Sequence, residues 1–387
     1  MFTQKIRIGI IFSLVLAFIV TVAIALYADV PLLVGALIRF RWEYLPLILG
    51  LTLLNYFGRF VKWQYYLRRL EVRAISRWRS LLIFVSGLSM AITPGKVGEV
   101  LKSYLLKRET GTAISRTAPI IVAERLTDGI AMLGLAATGL VLYRFGWEVL
   151  LGLLLLGVIG ILLIQNRRLV LALLTIGERI PLVSRFAHVI RAFYESAYTL
   201  LRWRPLLLAI LIGLISWSGE CAALYFVFRG LGIAPSPDLL IKATFILAFS
   251  SLVGSASGLP GGLGAAEGSV LGLTRLLVSP SAALGGAATL LIRFCTLWFG
   301  LALGVIALLA FQATRRRALF KEPDKKDGVG EEPMSAPLSS ARHSVAGRGQ
   351  QENSNGMQPL ETHLQTVSVA TKPEIYLYEN TNYHPHV

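Results

Sequence analysis

Ile92-Thr93-Pro94-Gly95-Lys96-Val97-Gly98-Glu99 and Gly258-Leu259-Pro260-Gly261-Gly262-Leu263-Gly264, the latter with Glu267 just beyond, are two versions of one pattern. Each is a Pro-Gly break in an apolar segment with a glutamate close behind. Each is followed, about one membrane helix later, by an arginine inside an apolar run. Arg125 comes 27 positions after Gly98, and Arg293 comes 29 after Gly264. Two breaks placed alike in two halves of a membrane protein point to a midplane binding site between repeats.

The composition around these stretches agrees with a membrane solvent. Hydrophobic residues make up 55% of the 387 and charged residues 16%, against roughly 25% charge in soluble proteins. Several runs reach about 20 apolar residues, the length that a hydrocarbon core requires. An all-α polytopic membrane protein is expected. The net charge of +16 is carried by short connections between apolar runs, so membrane topology accounts for it and no nucleic-acid partner is expected. Cys221 and Cys295 lie far apart within apolar runs and read as packing residues. The stretch 8–28 is longer than a signal-peptide core and reads as a first span, although Ala23-Ile24-Ala25 resembles a cleavage pattern.

Taken in order, the apolar runs give six full spans, at about 8–28, 44–63, 117–143, 149–164, 205–228 and 282–311, and two broken hairpins, 80–106 and 239–277. Lys5 and Arg7, the cluster Lys62, Arg68, Arg69, Arg73, Arg77 and Arg79, and Arg315, Arg316 and Arg317 place both termini in the cytoplasm by the positive-inside rule. The arms of the first hairpin are too short to span. The pair is expected to be re-entrant from the cytoplasm, and the second hairpin to enter from outside. Irregular backbone at that depth must be buried in protein or line a wet cavity. The two repeats, 44–164 and 205–311, are then inverted; a reading with eight spanning segments fits hydropathy equally well. Between 183 and 201, apolar residues recur at i, i+3, i+4 and i+7, which predicts an amphipathic helix in the cytoplasmic interface. The transmembrane domain is expected over 1–312. Residues 313–387, rich in Lys, Glu, Ser, Gly, Pro and Asn, are expected to form a disordered cytoplasmic tail. Four of the five histidines fall there without metal-ligand spacing, so no metal or cofactor is expected.

Charges inside apolar runs need a reason, since each costs roughly 2.5–3.5 kcal/mol at the bilayer centre. Glu124, Arg125 and Asp128 lie in one span, with 124 and 128 on one face. Arg125 has two readings: an ion pair with Glu99 that pins the broken hairpin, or bidentate engagement of a phosphate. Arg293 has no acidic neighbour in its span, and Glu267 is its obvious partner. Lys96 sits at the break, where helix N-termini offer N–H groups to anions, and with Lys102 it is the better candidate for a phosphate contact. Glu220, in mid-span, is either hydrogen-bonded within the bundle or a carrier of a proton or cation. Asn55, Tyr56 and Arg59 give the second helix a polar face, with Arg59 expected to snorkel to the interface. The sequence contains no phosphate-binding loop of the Walker type, no nucleophile elbow and no paired histidines, and enzyme chemistry is not expected.

Pro94-Gly-Lys-Val-Gly-Glu99, Glu124-Arg125-Leu-Thr-Asp128, and Leu259-Pro-Gly-Gly-Leu-Gly264 with Glu267 and Arg293 together resemble the lysylphosphatidylglycerol synthase transmembrane region. This is the flippase-like domain of the multiple peptide resistance factor and of stand-alone bacterial and archaeal proteins. The resemblance covers nearly all of 1–312. In the full-length factor a cytosolic domain that lysinylates phosphatidylglycerol follows. Here only the tail follows, so the resemblance implies lipid translocation without the synthase. It further implies a plasma-membrane location in a bacterium or archaeon. The implied ligand is an anionic or aminoacylated phospholipid, or a polyprenyl-phosphate lipid. Lys96, Glu99, Lys102, Arg125, Asp128, Glu267 and Arg293 would surround it, with Glu124, Glu220 and Arg59 in structural or coupling roles. Two alternatives stand beside this: a non-transporting subunit that presents lipid to a glycosyltransferase or synthase, and an ion-coupled small-solute transporter that uses Glu220.

Overall fold

The computed structural model describes residues 4–72, 75–93, 99–143, 147–177 and 184–320, and among these no strand occurs. The first half contains α1 (Gln4–Tyr27), α2 (Val30–Ile38), α3 (Leu45–Arg69), α4 (Arg77–Leu88), α5 (Val100–Thr110), α6 (Ile114–Tyr143) and α7 (Trp147–Gln165). Then follow α8 (Arg167–Gly177), α9 (Ala187–Leu200), α10 (Trp203–Gly230), α11 (Pro237–Ala256), α12 (Ala265–Leu277), α13 (Ala282–Arg293) and α14 (Phe299–Phe320), with a π-helical turn, Phe294–Trp298, joining the last two.

The helix boundaries follow local chemistry. Ser76, Ser236 and Ser281 each accept the N–H three residues on and so cap α4, α11 and α13. Gly111, at φ 75°, ends α5 in the left-handed conformation that a C-terminal glycine supplies. The amphipathic pattern expected over 183–201 forms α9, which buries Tyr194, Ala197 and Leu200; residues 178–183 lie outside the described residues. The fold is that of a multi-pass α-helical membrane protein. Leu207, Leu211 and Ile215, on the outer face of α10, are all more than half exposed, as befits side chains that face lipid rather than water.

Three segments depart from the sequence expectation. Residues 30–38, expected in a loop, form α2, set at 96° to α1 across Asp29, which adopts φ 65°; Asp tolerates that conformation better than most residues. Helix α11 has 20 residues and is therefore about 30 Å long, enough to cross a hydrocarbon core by itself. The arms α4 and α5, of 12 and 11 residues, reach less than about 20 Å. The two hairpins therefore differ in the reach of their first arms. Helix α14 continues to Phe320, past the expected edge of the tail. The sequence there is Ala, Thr, Arg, Leu and Phe, with no Gly or Pro to stop a helix. The remainder of the expected tail, 321–387, lies outside the described residues.

Packing brings the halves together reciprocally. Helices α3 and α10 run along one another, α4 packs on α14, and α11 packs on α6. The first arm of each hairpin thus rests on a long helix of the other half. Small residues permit the α3–α10 contact, as in membrane helix pairs generally: a Cβ on Gly219 would stand 3.2 Å from the Leu51 carbonyl oxygen. One apolar core gathers Trp63, Leu67, Phe84, Leu106, Leu200 and Phe311. Another gathers Ile48, Leu224, Val227, Ile246 and Leu291. The cores sit at opposite ends of α3 and α10, leaving a polar layer between them at mid-helix.

Candidate functional site

The second break is held by side chains that the repeated pattern singled out. Gly262 and Gly264 take φ 69° and 86°, a region that side-chain-bearing L residues occupy at a cost of roughly 1–2 kcal/mol. Gly264 donates its N–H to Glu267 Oε2 at 2.7 Å. Arg293 donates from Nε to Glu267 Oε1 at 2.6 Å and from Nη2 to the Gly261 carbonyl at 2.8 Å. A carboxylate in the first turn of α12 also suits the positive end of that helix. Arg293 thereby ties α13 to both sides of the break, and both oxygens of its glutamate are used.

The side chains beside the first break are held differently. Residues 94–98, and with them the predicted phosphate ligand Lys96, lie outside the described residues. Glu99, just beyond, is buried, and Arg125 meets it, as one of its two readings from sequence has it. However, Arg125 Nε stands 3.5 Å from Glu99 Oε2, and its Nη2 stands 3.7 Å from Asp128 Oδ2. Both separations exceed those of ordinary N–H···O bonds. Nε and Nη2 are buried and make no hydrogen bond. Arg293 thus makes two hydrogen bonds to the fold, whereas Nε and Nη2 of Arg125 make none.

The neighbouring lysines are spent as well. Lys102, read from sequence as a phosphate contact, donates to Glu124 Oε2 at 2.5 Å and lies 5.1 Å from the centre of the Trp63 ring. Lys62, read as part of the cytoplasmic cluster, is buried in the core and donates to Asp128 Oδ1 at 2.5 Å and to Thr127 Oγ1 at 3.3 Å. The signal for Lys62 was its spacing: Asn55, Arg59, Lys62 and Tyr66 follow at i, i+4, i+7 and i+11, one face of α3. Arg59 does not snorkel outward. It turns into the bundle, 3.8 Å from Asp128 Oδ2 and 6.0 Å from the centre of the Trp217 ring.

These groups surround a cavity of about 160 Å³ between the two halves. Arg59, Glu99, Lys102 and Arg125 line it from the first half, and Glu220 and Arg293 from the second. Asp128, Glu124 and Glu267 stand behind these cations as their counter-ions rather than at the cavity wall. Tyr56, Trp217 and Ser250 also line it and were not singled out as ligands from sequence. Tyr56 donates to the carbonyl of Thr296 at 2.6 Å, inside the π-helical turn. Among the described residues no group of three His, Cys, Asp or Glu side chains is placed to hold a metal. The arrangement can receive one small anionic group, offering it guanidinium donors in a layer shielded at both ends by apolar cores.

Comparisons with known proteins agree with this architecture. A UPF0104 membrane protein of Methanocaldococcus jannaschii is 25% identical over 197 residues, covering 48% of this chain and 78% of its own length. A UPF0104 membrane protein of Methanothermobacter thermautotrophicus is 38% identical over 96 residues, covering 25% of this chain and 28% of the relative. No solved structure matches significantly. The family described as the lysylphosphatidylglycerol synthase transmembrane region matches residues 10–304, which hold both breaks, both arginines and the whole cavity lining. The chain therefore belongs to the lysylphosphatidylglycerol synthase transmembrane region family.

Proposed function

We propose that this protein takes the phosphate-bearing headgroup of an anionic lipid into the cavity between its halves and carries it across the membrane. The observation that carries the reading is Arg125. Its buried Nε and Nη2 have no hydrogen-bond partner, yet the side chain lines the cavity at the middle of the bundle. Buried donors without partners call for an explanation, and a planar guanidinium matches phosphate geometry. Arg59 adds a second cation on the same wall. The cavity, about 160 Å³, is many times the ~10–15 Å³ needed to hold a single water, and a headgroup would enter it while the acyl chains stay in the bilayer. In this reading the chain is a carrier and not an enzyme. It resides in a bacterial or archaeal plasma membrane, with both termini cytoplasmic.

The test uses purified protein in liposomes that carry a fluorescent phospholipid in both leaflets, with a membrane-impermeant quencher added outside. Wild type is expected to quench beyond the outer-leaflet half, and a folded Arg125→Ala variant to stop near one half. Quenching that stops at half for wild type as well removes the carrier reading.

A further inference from the structure

Helix α8 is a separate helix rather than the end of α7. Asn166 begins it, its side-chain oxygen accepting the N–H of Leu169 at 3.2 Å, and the axis turns by 73° from that of α7. At 19 residues α7 is about 28 Å long, close to a whole hydrocarbon core, so α8 is not needed to complete a span.

At the helical period α8 presents three faces. Val170, Leu171 and Leu174 are half-buried on the protein side, where α8 packs on α7 and α9 and Arg167 pairs with Glu195 of α9 at 2.8 Å. Leu169, Leu173 and Ile176, at i, i+4 and i+7, form a second face and are 39%, 58% and 59% exposed. Arg168 and Thr175 are also exposed and form a polar edge roughly 100–120° round the helix from that stripe. An uncovered row of large aliphatic side chains calls for a partner. Leu155, Ile159, Leu162 and Leu163 carry a half-exposed apolar surface along α7 up to the bend, so lipid reaches the level at which α8 begins. A turn at the end of a span, an apolar stripe and a polar edge beside it are the layout of a helix lying in the membrane interface.

We infer that α8 docks on a lipid surface: Leu169, Leu173 and Ile176 sink into the headgroup–acyl boundary of the leaflet at the C-terminal end of α7, while Arg168 and Thr175 stay among the headgroups. This contact lies apart from the central cavity and is independent of what that cavity carries.

The test uses the full chain in nanodiscs of phosphatidylcholine and phosphatidylglycerol in equal parts. Single nitroxide labels are placed on Leu169→Cys, Leu173→Cys, Ile176→Cys, Arg168→Cys and Thr175→Cys, and on Leu155→Cys of α7 as a reference inside the bilayer. Cys221 and Cys295 are buried, and wild type treated with the same reagent supplies the background. Power saturation of the electron paramagnetic resonance signal, with oxygen and with a water-soluble nickel chelate, gives the depth of each label. The three stripe labels are expected at one common depth, about 5–10 Å into the boundary and shallower than the Leu155 label. The labels at 168 and 175 are expected to be several-fold more accessible to nickel. A depth that changes steadily from 169 to 176 makes α8 a continuation of the crossing and overturns the inference. Stripe labels as open to nickel as those at 168 and 175 place α8 in water and overturn it as well. Stripe labels shielded from both oxygen and nickel mean that protein, a second copy or another chain, covers the stripe in place of lipid, which also overturns it.

Discussion

Lys62 and Asp128 meet at 2.5 Å across the contact of α3 with α6, and both side chains are almost wholly withdrawn from solvent. The lysine occupies one carboxylate oxygen, and the other faces Arg59 and Arg125 at 3.8 and 3.7 Å. The pair thus sets the negative charge that holds two arginines in place without using up their N–H donors. Removing one member of a buried pair strands the other, at a cost of about 3–5 kcal/mol. Lys62→Met should lower the melting temperature of the detergent-solubilised protein steeply. Lys62→Met with Asp128→Asn should recover part of the loss, because the carboxylate that has lost its lysine is then uncharged. Equal losses in the single and double variants would contradict a stabilising pair.

The two repeat arginines should separate by readout. Arg293→Met strands Glu267 and frees the Gly261 carbonyl, and is expected to cost about 3 kcal/mol of stability. Arg125→Met removes only long contacts and is expected to cost less than half of that, while abolishing binding of anionic lipid. Melting curves and lipid titrations on both variants test the division of roles. Identical behaviour would remove it.

The glycines of the second break give a graded prediction. Gly258→Ala meets nothing within 4 Å and pays only for φ 66°, about 1–2 kcal/mol. Gly262→Ala has the same backbone penalty and also brings a Cβ within 3.0 Å of the Gly254 Cα, so its loss of stability should be the larger. Measured thermal shifts in the opposite order would mean that the turn is not packed against α11 as described.

The proposed orientation is open to cysteine labelling. Cys221 and Cys295 are buried, so an impermeant maleimide should label the wild type only after denaturation. Arg77, at the start of α4, and Pro235, between α10 and α11, are both exposed and are assigned to opposite sides. In intact cells the reagent should reach Pro235→Cys and not Arg77→Cys. The reverse pattern would invert the topology.

Much of this was readable from the chain before folding was considered. A bilayer demands long apolar helices, so hydropathy alone led to an α-helical membrane protein. A Pro-Gly break cannot lie exposed in lipid, so its recurrence pointed to a protected layer between two halves. An arginine without an acidic neighbour in its apolar span needs a carboxylate from elsewhere, so Arg293 led to Glu267, and Glu99 was one of two readings for Arg125; the structure makes both contacts. The different use of those contacts was not readable. Whether a guanidinium is hydrogen-bonded at 2.6 Å or held at 3.5 Å depends on how neighbouring helices set the distance, and no spacing along one helix encodes it. The lysines show the same limit. Beside other basic residues Lys62 looks like a surface charge, and Lys102 beside a break looks like an anion ligand. Only the packing of α3, α5 and α6 places Asp128 and Glu124 against them, because burial is a property of several helices together. Arg125 is left with hydrogen-bonding capacity for the same reason. A side chain's partners are assigned by tertiary contact, and those it lacks can be recognised only once every neighbour is in place.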